Sequence, residues 1–327
     1  MLQIILALTL TLAITTTSHA QTKTLHLAST AWSPFTNDPG KARFALDLVH
    51  TALERIGIKA ETTIIDESRL TASLLGGEFQ GSAALWREEA RERALLYSQP
   101  YLQNQLVLVG RNGSDVSAKS LTDLAGKRLV LVEGYAYGDK VKDPGGPVYV
   151  ASSSEEDSLQ KLLEGAADYT LMDELVVEYL LNNYSQEARA RLAFGSSPLI
   201  LRTLHLAINR SIPDAQWIID QFNAELIKMV ADRSYNRLLQ VDWLLADVDG
   251  DGSPEYVARD DHVGPNPPDH SYKLFTGRAA PDVASPKFYL GGKMYPSWSS
   301  VPDGYKANRP PGTFTEGTQI TIFSFKF

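Results

Sequence analysis

Hydrophobic positions along the chain switch repeatedly between a period of two and a helical period. Residues 25–28 alternate like a strand and run into a loop, Thr30-Ala31-Trp32-Ser33-Pro34-Phe35. Phe44, Leu48, Ala52 and Ile56, with Leu46, Val49 and Leu53, sit at helical spacing, and Gly57 ends that helix. A β-branched strand is predicted at 59–65, followed by a helix through Leu70, Leu74 and Leu75 that Asp66 can cap and Gly76-Gly77 stop. Residues 82–86 read as an apolar strand, 87–94 as a charged helix and 106–109 as a strand. Ser120-Leu-Thr-Asp123 and Ser154-Glu-Glu-Asp157 have the form of capping boxes, with stops at Gly126 and Gly165. Further strands are predicted at 129–132, 168–172 and 204–208, and helices opening at Gly134 and covering 173–181. Pro213 starts a long amphipathic helix through Trp217, Phe222, Leu226 and Val230, and a shorter one passes through Leu238 and Leu239. Alternating βα units predict α/β sheets with ligand at the carboxyl ends of the strands.

After Trp243 the pattern changes. Ten of the 17 prolines fall in residues 243–327 and helical periodicity stops, so this part reads as a separate, loop-rich extension with short strands at 287–290 and 319–323. The start of the chain also stands apart. Residues 4–14 are apolar, Thr15 to Ser18 are polar, and Ser18-His19-Ala20 gives a small–x–small end. Bilayer spans need about 20 apolar residues, so residues 1–20 read as a secretory signal peptide cleaved after Ala20. The alternative is a buried N-terminal strand or helix. The 327 residues contain no cysteine, which removes disulfides, thiol catalysis, thiolate zinc and a cysteine lipid anchor. A net charge of −8 with no Lys/Arg run argues against a nucleic-acid partner. The expected location is the periplasm of a Gram-negative cell.

Four ordered segments carry a family resemblance: Trp32-Ser-Pro-Phe35; Gly77 through Trp86-Arg-Glu-Glu-Ala-Arg91 to Ser98-Gln-Pro-Tyr101; Leu124-Ala-Gly-Lys-Arg-Leu-Val-Leu-Val-Glu-Gly134; and Gly165-Ala-Ala-Asp-Tyr-Thr-Leu-Met-Asp173. Over residues 22–244 the chain resembles the bacterial extracellular solute-binding proteins of family 3, the periplasmic amino-acid-binding type. The resemblance implies a two-lobed type II periplasmic binding protein fold. The lobes would be 21–104 with 200–242, and 105–199, joined by hinge strands near 103–105 and 196–200. Ligand would sit in the cleft, with hinge closure around it, and residues 243–327 would be an extension. The implied role is a monomer that delivers its solute to an inner-membrane ABC permease.

The resemblance also assigns residues. Arg91 stands where the family clamps the ligand α-carboxylate, and a planar guanidinium forms two parallel charge-assisted bonds to such a group; the alternative is a solvated helix arginine beside Glu88, Glu89 and Arg93. Asp173 stands where an acid receives the α-ammonium, and can equally be a helix N-cap. Trp32 matches an aromatic that covers the ligand side chain, or packs in the core. Trp86 replaces the usual Ser or Thr, Tyr135-Ala136 replaces a Thr pair whose site backbone N–H groups could still serve, and Ser29 replaces an Asp that often selects basic ligands. Such a pocket suits an apolar or aromatic amino acid or another small carboxylate.

A different chemistry lies in the extension. Asp247, Asp249 and Asp251 at positions 1, 3 and 5, Gly252 at 6, the Ser253 carbonyl at 7 and Glu255 at 9 match a calcium loop, because hard Ca²⁺ takes 6–8 oxygens. Ala258 at position 12 removes the bidentate Glu of an EF-hand. The alternative is a solvated acidic turn. For the whole chain, the second function class is an enzyme on the same scaffold. Periplasmic cyclohexadienyl dehydratases resemble this fold and use a cleft carboxylate as acid/base, for which Glu133 or Asp173 could serve. A sensor module is the third class. The terminal Phe323-Ser-Phe-Lys-Phe327 reads as a packed final strand.

Overall fold

The structure is a computed structural model, and it describes residues 23–239, 241–268, 271–273 and 287–307. The expected signal peptide and the expected strands at 319–323 and 323–327 lie outside the described residues. In chain order the elements are β1 (Lys23–Ser29), α1 (Phe44–Arg55), β2 (Ile58–Ile64), α2 (Glu67–Leu75), β3 (Gly81–Trp86), α3 (Glu89–Glu92), β4 (Leu95–Tyr97) and β5 (Leu102–Arg111). Then come β6 (Arg128–Val132), β7 (Val148–Ser152), α4 (Glu155–Leu163), β8 (Tyr169–Asp173), α5 (Glu174–Asn183), α6 (Ser185–Arg191), β9 (Leu192–Asn209), α7 (Ala215–Ala231) and α8 (Ser234–Leu239). The extension supplies β10 (Trp243–Ala246), β11 (Glu255–Ala258), β12 (Tyr272–Lys273), β13 (Phe288–Leu290) and β14 (Lys293–Tyr295).

The main sheet runs β2-β1-β3-β9-β5-β8-β6-β7, with β4 also on β9. β1, β2 and β3 are parallel, as are β6, β7 and β8, while β5 and β9 pair antiparallel with their neighbours and with each other. Two βα halves are thus joined through two long strands. Gln103, Asn104 and Gln105 lie opposite Thr203, Arg202 and Leu201. Pro198 has no amide to donate, and the β5–β9 register shifts between Leu106 and Val109 beside it. Gly81 is needed where β3 meets β9, because a Cβ there would lie 2.1 Å from the Ala207 carbonyl oxygen.

Two sequence expectations fail for visible reasons. The charged helix over 87–94 shrinks to the single turn α3, because residues 95–97 pair with β9 as a strand. No helix opens at Gly134: Gly134 and Gly138 both have positive φ, +87° and +90°, outside helical geometry. The Tyr137 hydroxyl instead accepts the Val132 amide at 3.1 Å. No described helix is long and apolar enough to cross a membrane.

The extension forms its own sheet, β12-β10-β11-β13-β14. It is fastened to the main body by specific bonds. Asn236, fully buried, donates to the Val257 carbonyl at 3.0 Å, and Arg233 pairs with Asp261 at 2.5 Å. Tyr272 closes the open edge of β5: its hydroxyl accepts from the Gln103 amide at 2.9 Å and donates to the Gln103 carbonyl at 2.7 Å. β8 reaches β5 only from Leu106 onward, so the tyrosine satisfies backbone groups that no strand covers.

Candidate functional site

The loop after β1 is held by its own polar groups. The Thr36 hydroxyl donates to the Thr30 carbonyl at 2.6 Å, and Asn37 donates to Ser33 Oγ at 2.7 Å. α1 has no side-chain cap; the Pro34 and Phe35 carbonyls receive the Phe44 and Ala45 amides instead. This fixes Trp32 facing the other half of the molecule. Trp86 ends β3, and Tyr135 and Tyr137 follow β6. The four rings meet edge to face or tilted, with Trp32–Trp86 centroids 5.4 Å apart, Trp86–Tyr135 5.7 Å and Trp86–Tyr137 5.8 Å. The Arg202 guanidinium, from β9, lies 5.7 Å from the Trp86 ring centre.

A cavity of about 40 Å³ lies beneath these rings. Of the expected site residues, Trp32, Trp86, Arg91 and Tyr135 line it, together with Thr30, Glu67 and apolar neighbours. Arg91 is 6% exposed. Its Nη2 donates to Thr71 Oγ1 at 2.7 Å, and its Nε stands 3.1 Å from a Glu88 carboxylate oxygen without the alignment of a hydrogen bond. Glu67 is the acid on the cavity wall. Burial raises its carboxyl above the ordinary value, opposed by the Thr30 hydroxyl and the Arg91 charge.

Asp173 is placed differently. It is buried but not among the cavity residues. One oxygen caps α5 by accepting the Leu175 amide at 2.8 Å; the other accepts Asn104 Nδ2 and the Gln105 amide, each at 3.0 Å. Asn104 in turn accepts the Trp86 indole N–H at 2.7 Å. Asp173 is therefore tied to the β5 crossover strand and reaches the aromatic wall through Asn104.

Sequence reasoning missed two acids, Glu67 on the cavity wall and Glu155 at the start of α4. Glu155 Oε1 accepts the Trp32 indole N–H at 2.7 Å, and its Oε2 is buried without a hydrogen-bond partner. The signal for Glu155 was present in Ser154-Glu-Glu-Asp157, but a helix start rich in acids reads as capping, and the Ser154 hydroxyl does accept the Asp157 amide at 3.1 Å. Burial raises the Glu155 carboxyl to about 8, helped by Asp173 and Glu156 and opposed by the Trp32 bond. Burial likewise raises Asp173 to about 7, opposed by the bonds from Asn104, Leu175 and Gln105.

The sign of the pH dependence follows. Folded chain holds protons on both acids that unfolded chain releases near the ordinary values of 4.5 and 3.8. Stability therefore falls as pH rises through that interval and levels off above about 8. Melting temperature should drop between pH 5 and pH 8.5, and Glu155→Gln, which keeps an acceptor for Trp32, should flatten the drop. Equal slopes for the two proteins would refute the burial of this carboxyl.

The metal-type loop lies apart from this site, in the extension. Asp247, Asp249, Asp251, Ser253 and Glu255 span the turn between β10 and β11, and oxygens of Asp247, Asp249 and Glu255 lie within 4.8 Å of one another.

Comparison with known proteins places this geometry. The chain shares 30% identity over 151 residues with membrane-bound lytic murein transglycosylase F of Pseudomonas putida (strain GB-1), covering 42% of this chain and 30% of that protein. It shares 29% identity over 133 residues with the virulence sensor protein BvgS of Bordetella pertussis, covering 40% of this chain and 11% of the sensor. The chain thus spans less than a third of these curated relatives. In structure it is similar to an ancestral arginine-binding protein bound to arginine, with a TM-score of 0.56, 22% identity, and coverage of 66% of this chain and 96% of that one. The fold is the two-lobed type II periplasmic binding protein fold, with the cavity between the lobes. Residues 28–245 match the model of the bacterial extracellular solute-binding proteins, family 3, and the chain belongs to that family.

Proposed function

We propose that the chain captures a small amino-acid-like solute between its lobes and hands it, in the periplasm, to an inner-membrane ABC importer. Solute binding is the family's role, and the similar ancestral protein holds arginine. The observation that carries the reading is the Arg91 guanidinium. It is buried at the cavity wall, with only the Thr71 hydroxyl hydrogen-bonded to it and the Glu88 carboxylate alongside. Buried charge without a full set of partners is costly, and a solute carboxylate would supply two parallel bonds.

Glu67 is the acid available in the cavity for a solute ammonium, while Asp173 steadies the crossover strand. Trp32, Trp86 and Tyr135 would cover the side chain, which favours apolar or aromatic solutes. A cavity of about 40 Å³ has room for only a few waters, so the contacts between the rings of the two lobes must part for entry and re-form around the solute.

The test is a thermal-shift screen of the standard amino acids and small carboxylates, with product formation followed in the same wells. At least one α-carboxylate compound should raise the melting temperature; no response across the panel would contradict the reading. A second reading, an acid/base enzyme, is favoured by one observation: Glu155 is held against Trp32 with its other carboxylate oxygen buried and unpartnered, and burial raises its carboxyl to about 8. Turnover of prephenate or arogenate would establish it in place of transport.

A further inference from the structure

We propose that the turn joining β10 to β11 is a calcium site, with Asp247, Asp249, Asp251, Glu255 and the Ser253 carbonyl as its oxygen donors. The site lies outside the solute cleft and is independent of what the cleft binds. β10 and β11 form an antiparallel hairpin whose last pair is Ala246↔Glu255, so residues 247–254 project from its end. Gly250 and Gly252, both at positive φ, bend this turn inward.

Two features point to a cation. Oxygens of Asp247, Asp249 and Glu255 converge within 4.8 Å. That is the spread expected of ligands on opposite sides of one Ca²⁺, whose bonds are about 2.3–2.6 Å long. Independently, Glu255 is fully buried, at 0% exposed, with Oε2 accepting the Val248 amide at 2.9 Å and Oε1 lacking any hydrogen-bond partner. A buried carboxylate oxygen left unsatisfied is expensive, and a divalent ion among these groups would satisfy it.

The cluster also has an internal competitor. Lys287, just before β13, places its ammonium 2.6 Å from Asp251, 3.3 Å from Asp249 and 3.6 Å from Glu255 Oε1. The last distance is beyond a hydrogen bond. An ammonium carries one charge and three donors, too little for four carboxylates. Calcium would displace it from Asp249 and Asp251, so affinity reports the exchange of one cation for another.

Calorimetric titration of CaCl₂ into the metal-stripped full chain, paired with melting curves in CaCl₂, MgCl₂ and EDTA, tests the proposal. Wild type should take up one Ca²⁺ with a dissociation constant below about 1 mM, the range of extracellular calcium modules, and melt higher in calcium than in EDTA. Asp249→Asn and Glu255→Gln should each weaken binding at least tenfold. Asp38→Asn, which removes an exposed carboxylate far away in sequence, should leave it unchanged. Lys287→Gln should tighten it. Absence of binding by folded wild type at about 10 mM calcium would overturn the proposal. So would binding seen only in Lys287→Gln, since the lysine would then be the permanent counter-ion. An equal response to magnesium would overturn the assignment to calcium.

Discussion

Arg91→Ala should abolish the rise in melting temperature that solute confers on the wild-type chain. A solute at one hundred times its dissociation constant contributes about 2.7 kcal/mol. For a folded unit the size of the two-lobed body, residues 23–239, each kcal/mol is about 2–4 °C, so wild type should gain roughly 5–10 °C and the variant nothing. The loss is expected to be complete because no other described cation lines the cavity. Arg91→Lys separates charge from shape: it keeps a cation but loses the fork that makes two parallel bonds, and should recover only a small part of the gain. Because Arg91 also bonds Thr71, the variants' own melting temperatures in buffer serve as the reference. An undiminished solute response in Arg91→Ala would remove the assignment of the carboxylate site.

Trp86→Ala should be the most damaging single change to the cleft itself. Trp86 is 7% exposed, packs against Trp32, Tyr135 and Tyr137, lies against the Arg202 guanidinium, and donates to Asn104. Truncating a buried Trp costs about 3–5 kcal/mol, and the Asn104 oxygen loses its donor as well. We expect a fall in melting temperature of roughly 10 °C, partly reversed by indole, since a cavity lined by rings binds the fragment removed. A fall below about 2 °C would show that the lobes do not pack through this ring.

Much of this was legible beforehand because it is local. The loop Trp32-Ser33-Pro34-Phe35, the Ser154 cap and the helix over 215–231 follow from short-range rules, and the structure contains them. The crossover strands were legible only in their apolar stretches. Asn104 interrupts the apolar run because its side chain bridges the Asp173 carboxylate and the Trp86 indole, while Gln103 and Gln105 meet Tyr272 and Asp173 through backbone groups alone. Glu155 and Trp32 are 123 positions apart and Lys287 and Asp251 are 36 apart. No spacing rule links them, so the latch across the cleft and the competitor in the acidic turn emerged only from the folded chain. The helix expected at Gly134 failed for the opposite reason, two glycines whose positive φ outweighs the apolar run around them.

The most direct test is a crystal structure of the chain with whichever compound raises its melting temperature most. The account predicts the compound enclosed between the lobes, its carboxylate within about 3 Å of the Arg91 guanidinium and its side chain against Trp32, Trp86 and Tyr135. A compound bound elsewhere, with Arg91 still engaged only by Thr71 and Glu88, would contradict it.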